Sequence, residues 1–327
     1  MITLFGVFLL TLLVITTVGI VRTQNLFAAI MLMGIFSLQI AAVFFILDAA
    51  DVALTEAAVG AGIATVLLLG ALALLDDTER RGRRASRLAA VVVAAGTLLI
   101  LYATFDYPRL GDPAAPVHQH VAPWYIAETP RLIDTPNVVT AILASFRGYD
   151  TFGEVFVIFT AGIGVLFILA NGADAARRSD LPSSDVQGLR HHLVPRLVGR
   201  LLMPFLVLFG LYIQFHGDFG PGGGFQAGAL ISAGLILYAL VEGERAALRL
   251  VPQRVLTLLT VAGALLFVGV GCACMLLGGN FLDYSALSAD AVAGQHLGIL
   301  LVEIGVGLTV SGVLLTIFHT FAARERA

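Results

Sequence analysis

Apolar residues run along this chain in long blocks separated by short polar ones, and the blocks share a characteristic length. Nine stretches, at about 2–21, 26–47, 52–75, 88–105, 150–170, 199–215, 224–242, 255–277 and 295–320, approach or exceed the roughly 20 residues a helix needs to cross a bilayer. The pattern predicts an all-α, polytopic membrane helix bundle of about nine transmembrane helices. No basic residue precedes the first stretch and no small-residue cleavage pattern follows it, so it is expected to be a permanent helix and not a signal peptide. The longest connection, Phe105 to Tyr149, carries turn residues and one expected short amphipathic helix around Asn137–Ser145. Nine crossings leave little chain for a water-soluble domain.

Composition agrees. The chain is 58% apolar and 13% charged, against about 25% charged in ordinary globular proteins, and its mean hydropathy is +0.94. All nineteen basic residues are arginine. If the nine crossings alternate, sixteen arginines fall on one side: Arg22, the run from Arg80 to Arg87, Arg177 to Arg200, Arg245 to Arg254, Arg324 and Arg326. The opposite connections hold only Arg109, Arg131 and Arg147. The arginine-rich side is expected to be cytoplasmic, which puts the amino terminus outside and the carboxyl terminus inside. The net charge of −3 adds nothing to this, and no feature points to nucleic acid.

Ionisable residues within the apolar stretches are the candidate chemistry, since a charge at mid-membrane costs at least about 2.5–3.5 kcal/mol and faces a partner or water. Glu56 lies just inside the third stretch, Glu154 enters the fifth, and Glu303 sits deepest in the ninth, about 12 Å from its start at 1.5 Å per residue. His296 precedes Glu303 by seven residues on the same helical face. With the expected orientation all three carboxylates fall in the outer half of the bilayer, the level that a water-filled half-channel requires. The same residues also fit interfacial first-turn acids favoured by helix dipoles.

The join His216-Gly217-Asp218-Phe219-Gly220-Pro221-Gly222-Gly223-Gly224-Phe225-Gln226 lies at that level too. Pro221 suits the first turn of the following helix, with Asp218 placed to cap its free donors. Gly222, Gly223 and Gly224 let another backbone approach and leave N–H groups open at the positive helix end, a place for an anionic side chain, a carbonyl or water. A tight re-entry turn packed against neighbouring helices uses the same residues.

Other chemistry is sparse. Cys272 and Cys274 stand two apart on one helix and point to different faces, so they are read as packing residues. His118 and His120 flank Gln119 in the long connection and are too few for a metal site. No phosphate-binding glycine loop, Ser-His-Asp arrangement, haem motif or iron–sulfur cysteine set is present, so neither an enzyme active site nor a cofactor is expected.

Three motifs carry a family resemblance. The segment from Asn137 through Phe146-Arg147-Gly148-Tyr149-Asp150-Thr151-Phe152-Gly153-Glu154 resembles the carboxyl-terminal part of the large A subunit of Mrp-type multisubunit Na⁺/H⁺ antiporters. Asp51 to Gly62 resembles a short three-helix subunit of the related membrane-bound hydrogenases, and His216-Gly217 with Pro221 to Gln226 is similar to the B subunit, MnhB or MrpB. The resemblance implies a fusion of three modules: a three-helix module at 1–77, a two-helix module at 78–180 and a four-helix module at 181–327.

It further implies an accessory subunit in a bacterial or archaeal cytoplasmic membrane, beside other antiporter or respiratory-complex subunits, lining a sodium or proton route. Glu56, Glu154, Glu303, Asp51, Asp150 and His296 would lie on that route, with His216 and Asp218 as an outer gate or structural lock. A membrane arm of a redox-driven complex and a purely structural scaffold are the other readings. Three departures matter. Glu56 looks more like the hydrogenase-type modules, whereas the antiporter A subunit tends to carry a neutral amide there. Asp218 stands where a second His is common in the family, and with no Lys the chain cannot supply the lysine relay of the pumping subunits.

The arginine split generates a topology test. A cysteine at Ser285 is expected to react with an impermeant thiol reagent from outside, and one at Ser86 only after the membrane is opened. Equal outside labelling of the two would overturn the orientation.

Overall fold

Within hydrocarbon no solvent can satisfy a backbone N–H or C=O, so apolar blocks of this length close their hydrogen bonds internally as helices. The computed structural model describes residues 2–76, 78–79, 87–109, 111–176 and 193–324. Among them nine helices are long and apolar enough to cross a bilayer, and no β-strand occurs. The arginines at 80–84, 177–190 and 326, the labelling position Ser86 and the module junctions at 77 and 180 lie outside the described residues.

The spanning helices are α1 (Ile2–Arg22), α2 (Leu26–Ile46), α3 (Ala50–Leu72) and α4 (Arg87–Thr104) in the first third of the chain. In the long connection, α5 (Val121–Leu132) and α6 (138–146) precede α7 (Gly148–Ala176). The last third contributes α8 (Leu193–His216), α9 (Gly224–Glu242), the short α10 (Glu244–Leu250), α11 (Gln253–Leu276) and α12 (Ala291–Arg324).

Helix α12 is the centre of the bundle, packed between α9 and α11. Dispersion is the main attraction between apolar helices in lipid, so close approach through small residues counts for more than bulk. On the α11 side Gly263 and Gly305 face each other: a Cβ on Gly263 would stand 2.5 Å from the Gly305 carbonyl, and one on Gly305 2.8 Å from the Gly263 carbonyl. On the α9 side Gly224 lies directly on the carbonyl of Glu303, and Gly228 faces the Gly307 carbonyl. Leu256, Phe267, Tyr284, Ile299 and Val302 fill the fully buried core around these contacts. Phe152 of α7 joins the core, tilted against the Phe267 ring at 5.6 Å and edge-on to Phe281 at 5.5 Å.

Burial falls away from this centre. Half of the α9 span is buried, whereas none of the α4 span is, and Gly96 in α4 faces open space. Helices α1 and α2 form a hairpin; the carboxamide of Asn25 accepts from the Ala28 N–H at 2.9 Å to start α2. Cys272 is exposed and Cys274 buried, as the two-residue spacing requires.

Three local features differ from the sequence expectation. The central part of α3, Glu56–Ala64, is a π-helix; Gly60 and Gly62 weaken the α-helical ladder there, and apolar periodicity does not report such a slip. The connection between α4 and α7 is largely helical, with a turn at Pro116–Gln119 and α5 in addition to the expected short helix.

The third difference concerns the glycine join. Helix α9 begins at Gly224 with Gly223 as its N-cap at φ +114°, and no side chain caps it. Pro221 therefore precedes the helix, and Asp218 does not cap it. The loop folds back on α8 instead: the Gly223 N–H donates to the Ile213 carbonyl at 3.1 Å, and Phe219 and Gly220 both donate to His216. Only a residue without a Cβ adopts that φ cheaply, so the glycine and not the proline sets the start.

The packing at α12 predicts a contrast between two glycines. Gly263→Val should lower the thermal midpoint of the detergent-solubilised protein by several degrees, since the added side chain meets backbone and overpacking costs roughly 1–3 kcal/mol or more. Gly96→Val should leave it unchanged, and equal effects would contradict this account of the core.

Candidate functional site

The glycine join, α3, α6, α7 and α12 meet around a cavity of about 550 Å³. Asp51 enters it from the first turn of α3, Glu154 from α7 and Glu303 from α12, so the three acids come from three separate parts of the chain. Val139, Leu143, Val157, Ile158 and Phe225 supply much of the apolar wall.

Asn137 holds the rim together. Its Oδ1 accepts from the Val139 N–H at 3.0 Å, which starts α6. Its Nδ2 donates to Asp51 Oδ1 at 3.1 Å, to the Gly217 carbonyl at 3.1 Å and to the Gly220 carbonyl at 2.9 Å. An amide has two N–H groups, so one of these three bonds is shared. The Asn137 backbone N–H donates to the Asp218 carbonyl at 3.0 Å, and the Thr140 hydroxyl donates to Gly217 at 2.7 Å. A second tie joins α9 to α3, where Gln226 Nε2 donates to Thr55 Oγ1 at 2.7 Å.

Glu303 faces the glycine turn. A Cβ on Gly223 would lie 3.1 Å from its Oε1, and one on Gly217 3.3 Å from its Oε2. The carboxylate therefore stands at the positive end of α9, where the N–H groups of the first turn have no acceptor within the helix. An anionic side chain at this position is one of the occupants expected from the sequence.

The other candidate residues divide. Asp218 sits near both Glu303 and His296; burial raises its carboxyl above the ordinary aspartate range, and His296 opposes the rise. Among the described residues its Oδ1 is buried without a hydrogen-bond partner. His216 stacks on Tyr212 with ring centroids 4.9 Å apart and does not line the cavity. Asp150 pairs with Arg147 at 2.5 Å on the surface, one turn before Glu154. Glu56 is also outside the cavity: its carboxylate and the Ser37 hydroxyl of α2 converge over Gly60, at 2.5 and 2.7 Å from where a Cβ would be. His118 and His120 are exposed.

Several polar ties carry no sequence signal. Asn137 begins the expected short helix, but its side-chain acceptors Asp51, Gly217 and Gly220 lie 80 to 86 residues away. The Tyr284 hydroxyl donates to the Ala144 carbonyl at 3.0 Å, and Gln295 bridges Ser145 at 2.6 Å to Ser285 at 3.0 Å. Burial pushes the Tyr284 phenol up, which keeps it a donor. A further cluster lies at the other end of the bundle. There Glu242 binds Arg196 at 3.2 Å and also Arg200, and His319 Nδ1 is 3.6 Å from Glu244.

These features define a polytopic helical membrane protein with a mixed acidic and apolar cavity lined from separate parts of the chain. Residues 194–316 match the model described as a domain related to the MnhB subunit of Na⁺/H⁺ antiporter, residues 11–77 that of the D subunit of MBH, and residues 80–183 that of the E subunit of MBH. The chain is 25% identical to the probable K⁺/H⁺ antiporter A/B subunit of Rhizobium meliloti (strain 1021), over 92% of its own length and 33% of that protein's. It is 30% identical to the putative antiporter subunit mnhB2 of Staphylococcus epidermidis, over 38% of this chain and 90% of the relative. The Mrp complex from Dietzia sp. DQ12-45-1b contains a chain of the same fold, with TM-score 0.76 and 28% identity, covering 96% of this chain and 34% of that one. The chain belongs to the MnhB-related family of Mrp-type antiporter subunits. It spans about a third of the length of the A/B relative.

The Asn137 contacts predict a stability effect. Asn137→Leu should cost on the order of 2–4 kcal/mol, because it removes several hydrogen bonds and leaves carbonyls without a donor. Asn137→Asp should be worse, since it sets a second carboxylate against Asp51 and keeps only the cap. Thermal unfolding of the purified protein checks this, and a wild-type midpoint for Asn137→Leu would refute it.

Proposed function

We propose that this chain is an accessory membrane subunit of a Mrp-like cation/proton antiporter complex, lining part of the ion route and docking the pumping subunits. In this reading the amino terminus is outside, the carboxyl terminus is inside, and the complex resides in the cytoplasmic membrane of a bacterium or archaeon. The observation that carries it is the convergence of one carboxylate from each of the three matched regions, Asp51, Glu154 and Glu303, on a single cavity. Relatives named as antiporter subunits support the same reading.

A carboxylate relays a cation by exchanging it for a proton, which keeps the buried site near neutrality in both states. Glu303 is the acid best placed for this, facing the cavity and backed by the glycine turn. Glu154 offers a second oxygen pair across the space. Asp51, held by Asn137, fixes the outer rim. Asp218 with His296 forms a neighbouring pair through which protons reach Glu303. The matches to the D and E components of MBH favour a second reading, in which electron transfer in other subunits powers the same ion movement. Purifying the intact complex and looking for nickel–iron and iron–sulfur subunits separates the two.

Glu303→Gln preserves shape and hydrogen bonding but removes proton exchange. Cation-dependent proton movement in vesicles carrying the assembled complex should fall at least tenfold while assembly stays normal, and Glu303→Asp should retain part of the rate. Wild-type transport in Glu303→Gln would reduce Glu303 to a packing partner and leave the scaffold reading.

A further inference from the structure

The cavity is larger and greasier than a single alkali cation uses. Its volume of about 550 Å³ falls in the roughly 300–1,000 Å³ range of pockets that take organic ligands. Among the described residues its ionisable lining consists of Asp51, Glu154 and Glu303, with no arginine or histidine. A ligand bearing a phosphate, and so an ordinary phospholipid headgroup, meets only repulsion from such a wall.

Hydrogen-bonding capacity points the same way. Glu303 Oε1 and Gln226 Oε1 lie 3.1 and 3.6 Å from one point, the position a Gly223 Cβ would occupy. Gln226 uses its Nε2 on Thr55, which leaves that oxygen as an acceptor. Thr140 and Thr151 donate their hydroxyl protons to the carbonyls of Gly217 and Leu143 at 2.7 Å each. The first-turn N–H groups of α9 are donors here and face Glu303, but the side chains on the polar side of the cavity present acceptors, and a complementary ligand brings donors. A primary ammonium carries three donors and no acceptor.

We propose that this cavity binds a protonated primary amine with an apolar body. Its ammonium sits over Gly223 between Glu303 and Gln226, and its body lies along Leu143, Val157, Ile158 and Phe225. The binding itself stands on the cavity. Only its consequence, competition with the transported cation, rests on the proposed ion route.

The probe is 4-phenylbutylamine, with 4-phenylbutanol as its neutral counterpart, and the readout is the thermal midpoint of the complex purified with all its subunits. The amine is expected to raise the midpoint in a saturable manner and the alcohol is not. Leu143→Trp, which fills the cavity, should weaken amine binding at least tenfold, as should Glu303→Gln; Leu99→Trp on the exposed face of α4 should not. If Leu143→Trp fails to assemble, Val157→Phe fills the same space from α7. Equal binding of the alcohol, or wild-type affinity in both assembled filling variants, overturns the proposal. Vesicle transport separates the two readings: amine binding without competition against the cation would count against the ion route and leave the site standing. Loss of transport in Glu303→Gln with no amine binding in wild type would sink the amine site alone.

Discussion

The carboxamide of Asn137 ties α3, α6 and the loop after α8 to one point, through Asp51, Gly217 and Gly220. Apolar helices in lipid attract one another through dispersion, which is strong in sum but tolerant of sliding and rotation. A directional hydrogen bond is not tolerant in this way, and in a medium of low dielectric an unmade one is costly. Three parts of the chain that share little buried surface thus gain a fixed register at the rim of the cavity. Tyr284 on Ala144 and Gln295 between Ser145 and Ser285 repeat the device between α6 and the helix pair α11 and α12. The acids in the cavity inherit their spacing from these ties.

Glycine packing then couples the core to the chemistry. Gly224 lies on the backbone carbonyl of Glu303, so α9 reaches α12 at the very residue whose side chain enters the cavity. The same contact directs the first turn of α9 toward the carboxylate. Close packing and electrostatic complementarity are here two results of one missing side chain. A larger residue at 224 would separate the helices and remove the dipole from Glu303 together, so the two effects share a single physical cause.

The nine spans were legible because bilayer thickness imposes a length that composition alone reveals. Glu154 and Glu303 were legible as candidates because ionised groups are rare in such stretches. Their meeting with Asp51 was not, since it depends on how α3 rotates about its axis. Glu56, five residues after Asp51 on the same helix, turns instead toward Ser37 of α2. The π-helical run that begins at Glu56 changes the angular step per residue, and an α-helical wheel drawn from the sequence misplaces every later side chain of α3. The start of α9 was misread for a related reason: proline and aspartate carry strong average preferences, but a single glycine at φ +114° decides the geometry. Arg196 and Arg200 passed as part of an arginine-rich side, and only the fold brings them onto Glu242.

Between the cavity and the opposite cluster, α12 runs from Glu303 to His319, sixteen residues or about 24 Å. Hydroxyls stand along that interval, but each turns its proton to a nearby carbonyl. Thr309 donates to Gly305 at 2.9 Å, Thr316 to Gly312 at 2.7 Å, Ser232 to Gly228 at 2.8 Å and Ser311 to Gly228 at 3.2 Å. Such bonds satisfy these hydroxyls within tightly packed helices, and among the described residues the buried Gln214 amide, set against Gly307, keeps an Nε2 without a partner in the same interval. On the proposed reading, then, the cavity forms an outer half-route and the core behind it is an insulating wall. On that reading an ion entering at Glu303 and Glu154 would continue along the protein's flank, where a neighbouring chain would supply the other side. The unburied length of α4 offers ample surface for such neighbours, and on the proposed reading the glycine-packed core that positions Glu303 would oppose a straight path for protons through the bundle.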